Sequence, residues 1–116
     1  MVINGGEISG NTYTGTGVAS VVYLFMTAKV EMNGGIIADN NLGTSSNSVV
    51  FNHSSNNTMV TVNGGTIKNN TVGSVDRFGY VFKGVEQFVI GSAAEVSGTV
   101  LGSGVNAVDV NTLKSA

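Results

Sequence analysis

The amino-acid sequence predicts an all-β protein, a parallel β-solenoid of about four coils, and three observations carry that expectation. The same phrase is written three times: "MVINGGEISGN" at Met1–Asn11, "VEMNGGIIADN" at Val30–Asn40 and "VTVNGGTIKNN" at Val60–Asn70. The interval is 29 residues from Asn4 to Asn33 and 30 from Asn33 to Asn63, inside the period of roughly 20–50 residues that marks solenoids and propellers. The composition is that of strands and turns: 19 Val, 17 Gly and 14 Asn among 116 residues, with no Pro, Cys or Trp. Val favours a pleated, half-buried surface, whereas Gly and Asn tolerate the positive φ of tight turns. No stretch sustains the 3.6-residue apolar stripe of a helix.

Within each copy the residues before "NGG" alternate. Met1, Val30 and Val60 form one column, and Ile3, Met32 and Val62 form another two residues on, as in a strand with one buried face. The glycines turn the chain, and Ile8, Ile37 and Ile67 begin a second inward-facing strand. With coils stacked about 4.8 Å apart, like residues lie over like. Asn4, Asn33 and Asn63 are then expected to form an amide ladder, and Asn11, Asn40 and Asn70 a second, because each amide carries both donor and acceptor.

A second half-repeat lies between the "NGG" segments: "SVVYLF" (Ser20–Phe25), "SVVF" (Ser48–Phe51) and "GYVF" (Gly79–Phe82). Aligned on its phenylalanines, it predicts a buried, mutually contacting column Phe25/Phe51/Phe82, with Tyr23, Val49 and Tyr80 two residues before. Val21, Tyr23 and Phe25 then face the core. Val22, Leu24 and Met26 face outward, and with Val50 and Val81 they make an apolar strip for self-association or a partner. "NHSSNNT" (Asn52–Thr58) reads as an outward-bulging insertion, which places His53 on the surface. The fourth copy, "FVIGSAAEVSG" (Phe88–Gly98), keeps Ile90 and Val96 but lacks "NGG", and "VNAVDVNTL" (Val105–Leu113) does not align. Terminal repeats depart from the pattern because they close the core. The chain therefore reads as a single solenoid domain or fragment, 1–116, with repeats near 1–29, 30–59 and 60–87 and a degenerate part at 88–116.

The stretches "VINGGEISGNT" (Val2–Thr12), "VEMNGGIIADNN" (Val30–Asn41) and "VTVNGGTIKNNT" (Val60–Thr71), with "GVASVVYLF" (Gly17–Phe25) upstream, resemble the repeats of microbial cell-surface adhesin-like proteins. Those proteins carry a right-handed parallel β-helix of the pectin-lyase type. The resemblance implies right-handed coils, an extracellular or cell-surface location, and a structural or adhesive role with a glycan or a host surface protein as ligand. The chain departs from the family's "GGGVYV" half, since "SVVF" and "GYVF" lack its glycine cluster.

Chemistry is sparse. The net charge of −2, with five scattered basic residues, argues against nucleic acid. The longest apolar run, "VVYLFM" (Val21–Met26), is too short to span a bilayer. Without Cys there is neither a disulfide framework nor a thiolate metal site. Glycoside hydrolysis needs two carboxyl groups about 5–10 Å apart, yet no two of Glu7, Glu31, Asp39, Asp76, Glu86, Glu95 and Asp109 share a repeat column. "VDRF" reads as a solvated Asp76–Arg77 turn pair, and His53 has no second histidine for zinc. "NGG" is followed by no Gly-Lys-Ser/Thr and no helix that would receive a phosphate. No catalytic, cofactor or metal residue is assigned. The expected function is a non-enzymatic structural or adhesive repeat module; the alternative is a polysaccharide-binding or polysaccharide-degrading β-helix fragment.

Because the chain opens inside a repeat, it reads as a piece of a longer secreted protein. A bare solenoid end presents unpaired backbone groups over an apolar core. Self-association is therefore expected, end to end along the asparagine columns or side by side through Val22, Leu24, Val50 and Val81, unless a neighbouring part of the parent chain covers them.

Overall fold

The computed structural model describes residues 1–102 and 105–114, and it is a β-solenoid. The first turn contributes β1 (Val2–Ile3), β2 (Glu7–Ser9) and β3 (Ser20–Leu24), and the second β4 (Lys29–Met32), β5 (Ile36–Ala38) and β6 (Val49–His53). The third contributes β7 (Met59–Val62), β8 (Thr66–Lys68), the short β9 (Thr71–Val72) and β10 (Val75–Val81). A closing set follows: β11 (Phe88–Ile90), β12 (Glu95–Val96), β13 (Thr99–Gly102) and β14 (Val105–Asp109). They stack into three sheets, ordered β1-β4-β7-β11, β2-β5-β8-β12 and β3-β6-β10-β13-β14. Pairing is parallel from coil to coil, while β9–β10 and β13–β14 are antiparallel.

The "NGG" half folds as its pattern dictates. Ile8, Ile37, Ile67 and Val96 stand in one register column, and Ile3, Met32, Val62 and Ile90 in another. Apart from the half-buried Ile3 and Ile8 of the first coil, all of them lie in the core. The turn requires glycine for two separate reasons. A Cβ on Gly34 or Gly64 would meet the preceding coil's asparagine carbonyl oxygen at 2.6 or 2.7 Å, and Gly35 and Gly65 hold φ of 91° and 92°. At the next corner Gly10, Asp39 and Asn69 share a left-handed backbone with φ of 67°, 57° and 56°, which explains why that column holds only Gly, Asp and Asn.

The aromatic half does not follow the phenylalanine alignment. Phe51 lies opposite Val22 on one side and Gly79 on the other, and Asn52 lies between Tyr23 and Tyr80. The alignment on phenylalanine is thus displaced by three residues. An odd displacement exchanges the two faces of a strand. Phe51 is fully buried, but Phe25 and Phe82 are 62% and 45% exposed, so the column Phe25/Phe51/Phe82 does not form. The expected outer strip is likewise inverted: Leu24, Val50 and Val81 are core residues, and Val22 is half-buried against them. Packing decides the matter. Phe51, Phe78 and Phe88 form one cluster, with ring centroids 5.5 Å apart for Phe51–Phe78 and 4.9 Å for Phe78–Phe88. The Phe88 ring fills the space over Gly79, where a Cβ would lie only 2.3 Å from its Cζ.

His53 is also misplaced by the sequence reading. It is the last residue of β6, fully buried, with its ring edge-on to Phe88 at 4.9 Å.

The two ends of the solenoid differ. At the C-terminal end β14 covers the edge of β13, and a 3-10 turn at Val110–Leu113 lays Val110 and Leu113 on the core. Residues outside the repeat thus cover β13 and part of the core at this end, while β12 remains the outermost strand of its sheet. At the N-terminal end Gly5 and Gly6 have no atom within 4 Å of a built Cβ, and Met1 and Val2 are exposed.

Candidate functional site

Both asparagine ladders form, and their burial separates their roles. In the outer ladder Asn63 Nδ2 donates to Asn33 Oδ1 at 2.8 Å, and Asn33 Nδ2 donates to Asn4 Oδ1 at 2.9 Å. These side chains are exposed. In the inner ladder Asn11 Nδ2 donates to Asn40 Oδ1 at 2.9 Å and Asn40 Nδ2 to Asn70 Oδ1 at 2.8 Å. Asn40 and Asn70 are buried and also donate to the carbonyls of Ile8 and Ile37. This ladder has a terminus that the sequence reading missed. Asp76 is not half of a solvated turn pair. Its carboxylate accepts from the backbone N–H of Asn69 and Asn70 and from the Ser97 hydroxyl, standing where a fourth asparagine would stand. Arg77 instead donates to the Ser46 carbonyl.

The surface with binding chemistry is the outer face of the third sheet. The register that buries Phe51 turns Tyr23 and Tyr80 outward on either side of Asn52. Tyr23 stacks with Phe25 at 6.4 Å and 29°, and Tyr80 meets Phe82 edge-on at 5.5 Å. Tyr23 is 58% exposed. Between these pairs lies a concavity of about 320 Å³ lined by Val18, Tyr23, Asn47, Asn52, Tyr80 and Phe82, with Ser54 and His53 at one edge. Two strand spacings separate the tyrosines, roughly 9–10 Å. The floor between them offers an amide donor and acceptor. Planar apolar faces over a polar floor hold a ligand with an apolar face and polar edges.

Among the described residues no carboxylate lines this trough. Among the described residues no three His, Asp or Glu side chains are grouped to hold a metal ion, and the ion pair Lys68–Glu95 is a surface contact of 3.9 Å. His53 Nδ1 lies 2.6 Å from Thr58 Oγ1, and its Nε2 has no partner among the described residues.

Desolvation outweighs the Thr58 contact and lowers the His53 pKa from 6.5 to about 4. The folded state thus resists protonation more than the unfolded chain does. Its stability contribution is complete above pH 6.5 and is lost as the pH falls toward 4. Stability should drop by on the order of 2 kcal/mol across that window. His53→Leu, matching Leu24 in the same column, should flatten the drop in urea-unfolding midpoints measured between pH 7 and pH 4. An unchanged pH dependence in that variant would assign the effect elsewhere.

Comparison with known proteins adds no family to this picture. No family model matches the chain, and no curated protein and no solved structure matches it. Among the described residues no helix is long and apolar enough to cross a membrane.

Proposed function

We propose that the protein is a non-enzymatic adhesive module of an extracellular or cell-surface protein and that its aromatic trough binds a glycan. The observation that supports this reading is the pair of outward-facing aromatic clusters, Tyr23/Phe25 and Tyr80/Phe82, flanking Asn52 on the outer face of the third sheet. Leaving Tyr23, Phe25 and Phe82 exposed beside the half-buried Tyr80 is unfavourable unless something covers them. Sugar rings present C–H faces that pack on aromatic π faces, and their hydroxyls exchange hydrogen bonds with amides such as Asn52 and Asn47. The absence of a carboxylate from the described lining of the trough favours binding over cleavage.

The test is a glycan array followed by titration of the best oligosaccharide, monitored by tyrosine fluorescence. Tyr23→Ala and Tyr80→Ala should each weaken binding roughly tenfold while leaving the thermal midpoint nearly unchanged. Binding unaffected by the double variant would overturn the assignment of the site, and an array without a hit would overturn the glycan. Release of reducing or unsaturated ends from acidic polysaccharides, abolished by one Asp or Glu substitution, would show an enzyme instead.

A further inference from the structure

The trough of the third sheet has a direction, a width and a charge. Because its strands are parallel, Val18 and Asn47, which precede β3 and β6, lie at one end, and Ser54 and Phe82, which follow β6 and β10, lie at the other. It therefore runs along the strands. Its floor is the middle coil, with Asn52 and, two residues on, Ser54. Its walls are the neighbouring coils, Tyr23 then Phe25 on one side and Tyr80 then Phe82 on the other. Along each wall a second ring follows the first after 6.4 or 5.5 Å, comparable with the step from one sugar to the next in an extended chain. The walls rise two strand spacings apart, roughly 9–10 Å. One ring at van der Waals distance from a wall on each side takes up roughly 7–8 Å, so the gap accepts a single ring and not two abreast. The described lining is apolar, phenolic, amide or hydroxyl apart from His53, whose ring packs against Phe88 in the core.

The end that carries the two phenylalanines is held by a polar spine. Met26, directly after Phe25, has a left-handed backbone with φ of 61° although it is neither Gly, Asn nor Asp. Its N–H donates to Ser54 Oγ at 3.2 Å, and its carbonyl accepts from Ser55 Oγ at 2.6 Å. At the other wall the buried Gln87 accepts the N–H groups of Phe82 and Lys83 on Oε1, both at 2.8 Å. Its Nε2 donates to the carbonyls of Ser55 and Thr58, both at 3.0 Å. Both phenylalanine-bearing loops are thus fixed to the same segment of the middle coil. Strained backbone that its surroundings hold in place clusters at ligand sites, and a site formed in advance loses less freedom on binding.

We propose, on the basis of the glycan reading of this trough, that the ligand is an uncharged, linear β-1,4-linked glycan lying along the strands. Consecutive sugars occupy two subsites, the first between Tyr23 and Tyr80 over Asn52, the second between Phe25 and Phe82 over Ser54. Equatorial bonds on opposite sides of each ring make such a chain a straight ribbon, with C–H faces to either side and hydroxyls along both edges. The faces meet the aromatic walls, and one hydroxyl edge meets the floor. Ser54 Oγ accepts from Met26, which leaves its own hydrogen for a sugar oxygen. An α-1,4-linked chain curls out of a straight trough. A uronic acid would bring a carboxylate into a lining that has no cation to receive it.

Calorimetric titration of the full chain compares cello-, manno-, xylo- and chitotetraose with maltotetraose and tetragalacturonate. At least one of the first four should bind at least tenfold more tightly than either of the last two. For that sugar the affinity should rise at least tenfold from monosaccharide to disaccharide, the weak monosaccharide binding being read by ligand-observed NMR. The double variant Tyr23→Ala/Tyr80→Ala should weaken every length. Phe25→Ala/Phe82→Ala should reduce the disaccharide to the affinity of the monosaccharide and leave the monosaccharide unchanged, a pattern that general loosening of the fold does not produce. Urea midpoints close to that of the parent show that the solenoid of each variant is intact. Failure of the first four sugars to exceed the last two by tenfold, or a disaccharide gain that survives Phe25→Ala/Phe82→Ala, would overturn the proposal while leaving a glycan site in place. Binding of none of these sugars and of no glycan on an array would instead remove the glycan reading itself.

Discussion

Phe51→Ala should destabilise the protein by about 3–5 kcal/mol, whereas Phe25→Ala and Phe82→Ala should each change stability by less than about 1 kcal/mol. The three residues belong to the same sequence motif, so the contrast is a direct measure of the register. Phe51 is fully buried and enclosed by Phe78, Phe88 and the core valines. Removing its ring discards both the transfer free energy and the contacts of the cavity walls. A domain of this size has a total stability of only about 5–15 kcal/mol. Urea unfolding at constant m-value provides the measurement, and comparable losses for Phe25→Ala and Phe51→Ala would mean that the strand faces the other way.

Asn40→Ala should cost about 3 kcal/mol or more, and Asn33→Ala about 1 kcal/mol or less, although both remove the middle rung of an asparagine ladder. The difference lies in water. Asn33 is exposed, so its former partners on Asn4 and Asn63 turn to solvent. Asn40 is buried and satisfies several groups at once. Its Nδ2 donates to Ile8 and Asn70, and its Oδ1 accepts from the backbone and side chain of Asn11. Truncation strands the Ile8 carbonyl and breaks the chain of amides that Asp76 closes. Amide hydrogen exchange should locate the damage, with Asn11 and Asn40 N–H losing protection in Asn40→Ala and neither doing so in Asn33→Ala. Equal effects of the two substitutions would mean that burial does not distinguish the ladders.

The two halves of the repeat differ in how much of their structure could be read from residues alone. In the "NGG" half the spacing from Ile3 to Ile8 recurs from Met32 to Ile37 and from Val62 to Ile67. Local turn chemistry enforces that spacing: a glycine under the preceding carbonyl, a glycine at positive φ, then Gly, Asp or Asn in the left-handed region. The columns and both ladders follow. In the aromatic half eight residues separate Phe25 from Asn33 and twelve separate Phe51 from Asn63, so no turn specifies which residue pairs with which. The polar Asn52 within an apolar strand was the available sign of the true register, because it needs an outward position and Tyr23 and Tyr80 then share its face. The polar run after Phe51 resembles a turn and so points His53 to a loop, yet β6 extends to include it.

The sequence by itself determined the solenoid, its three-fold phrase, the isoleucine columns and both ladders, because each follows from contacts between residues one period apart and from turn geometry contained within a few residues. The tertiary structure alone decided which face of the aromatic strands is buried, how Asp76 ends the inner ladder, and how β14 and Val110 cover part of the last coil. Those outcomes depend on volumes and hydrogen-bond partners brought together from non-equivalent positions: Phe88 over Gly79, the Asp76 carboxylate under Asn70, and Val110 on the last coil. A repeat pattern describes what neighbouring coils share, and these contacts arise where they differ.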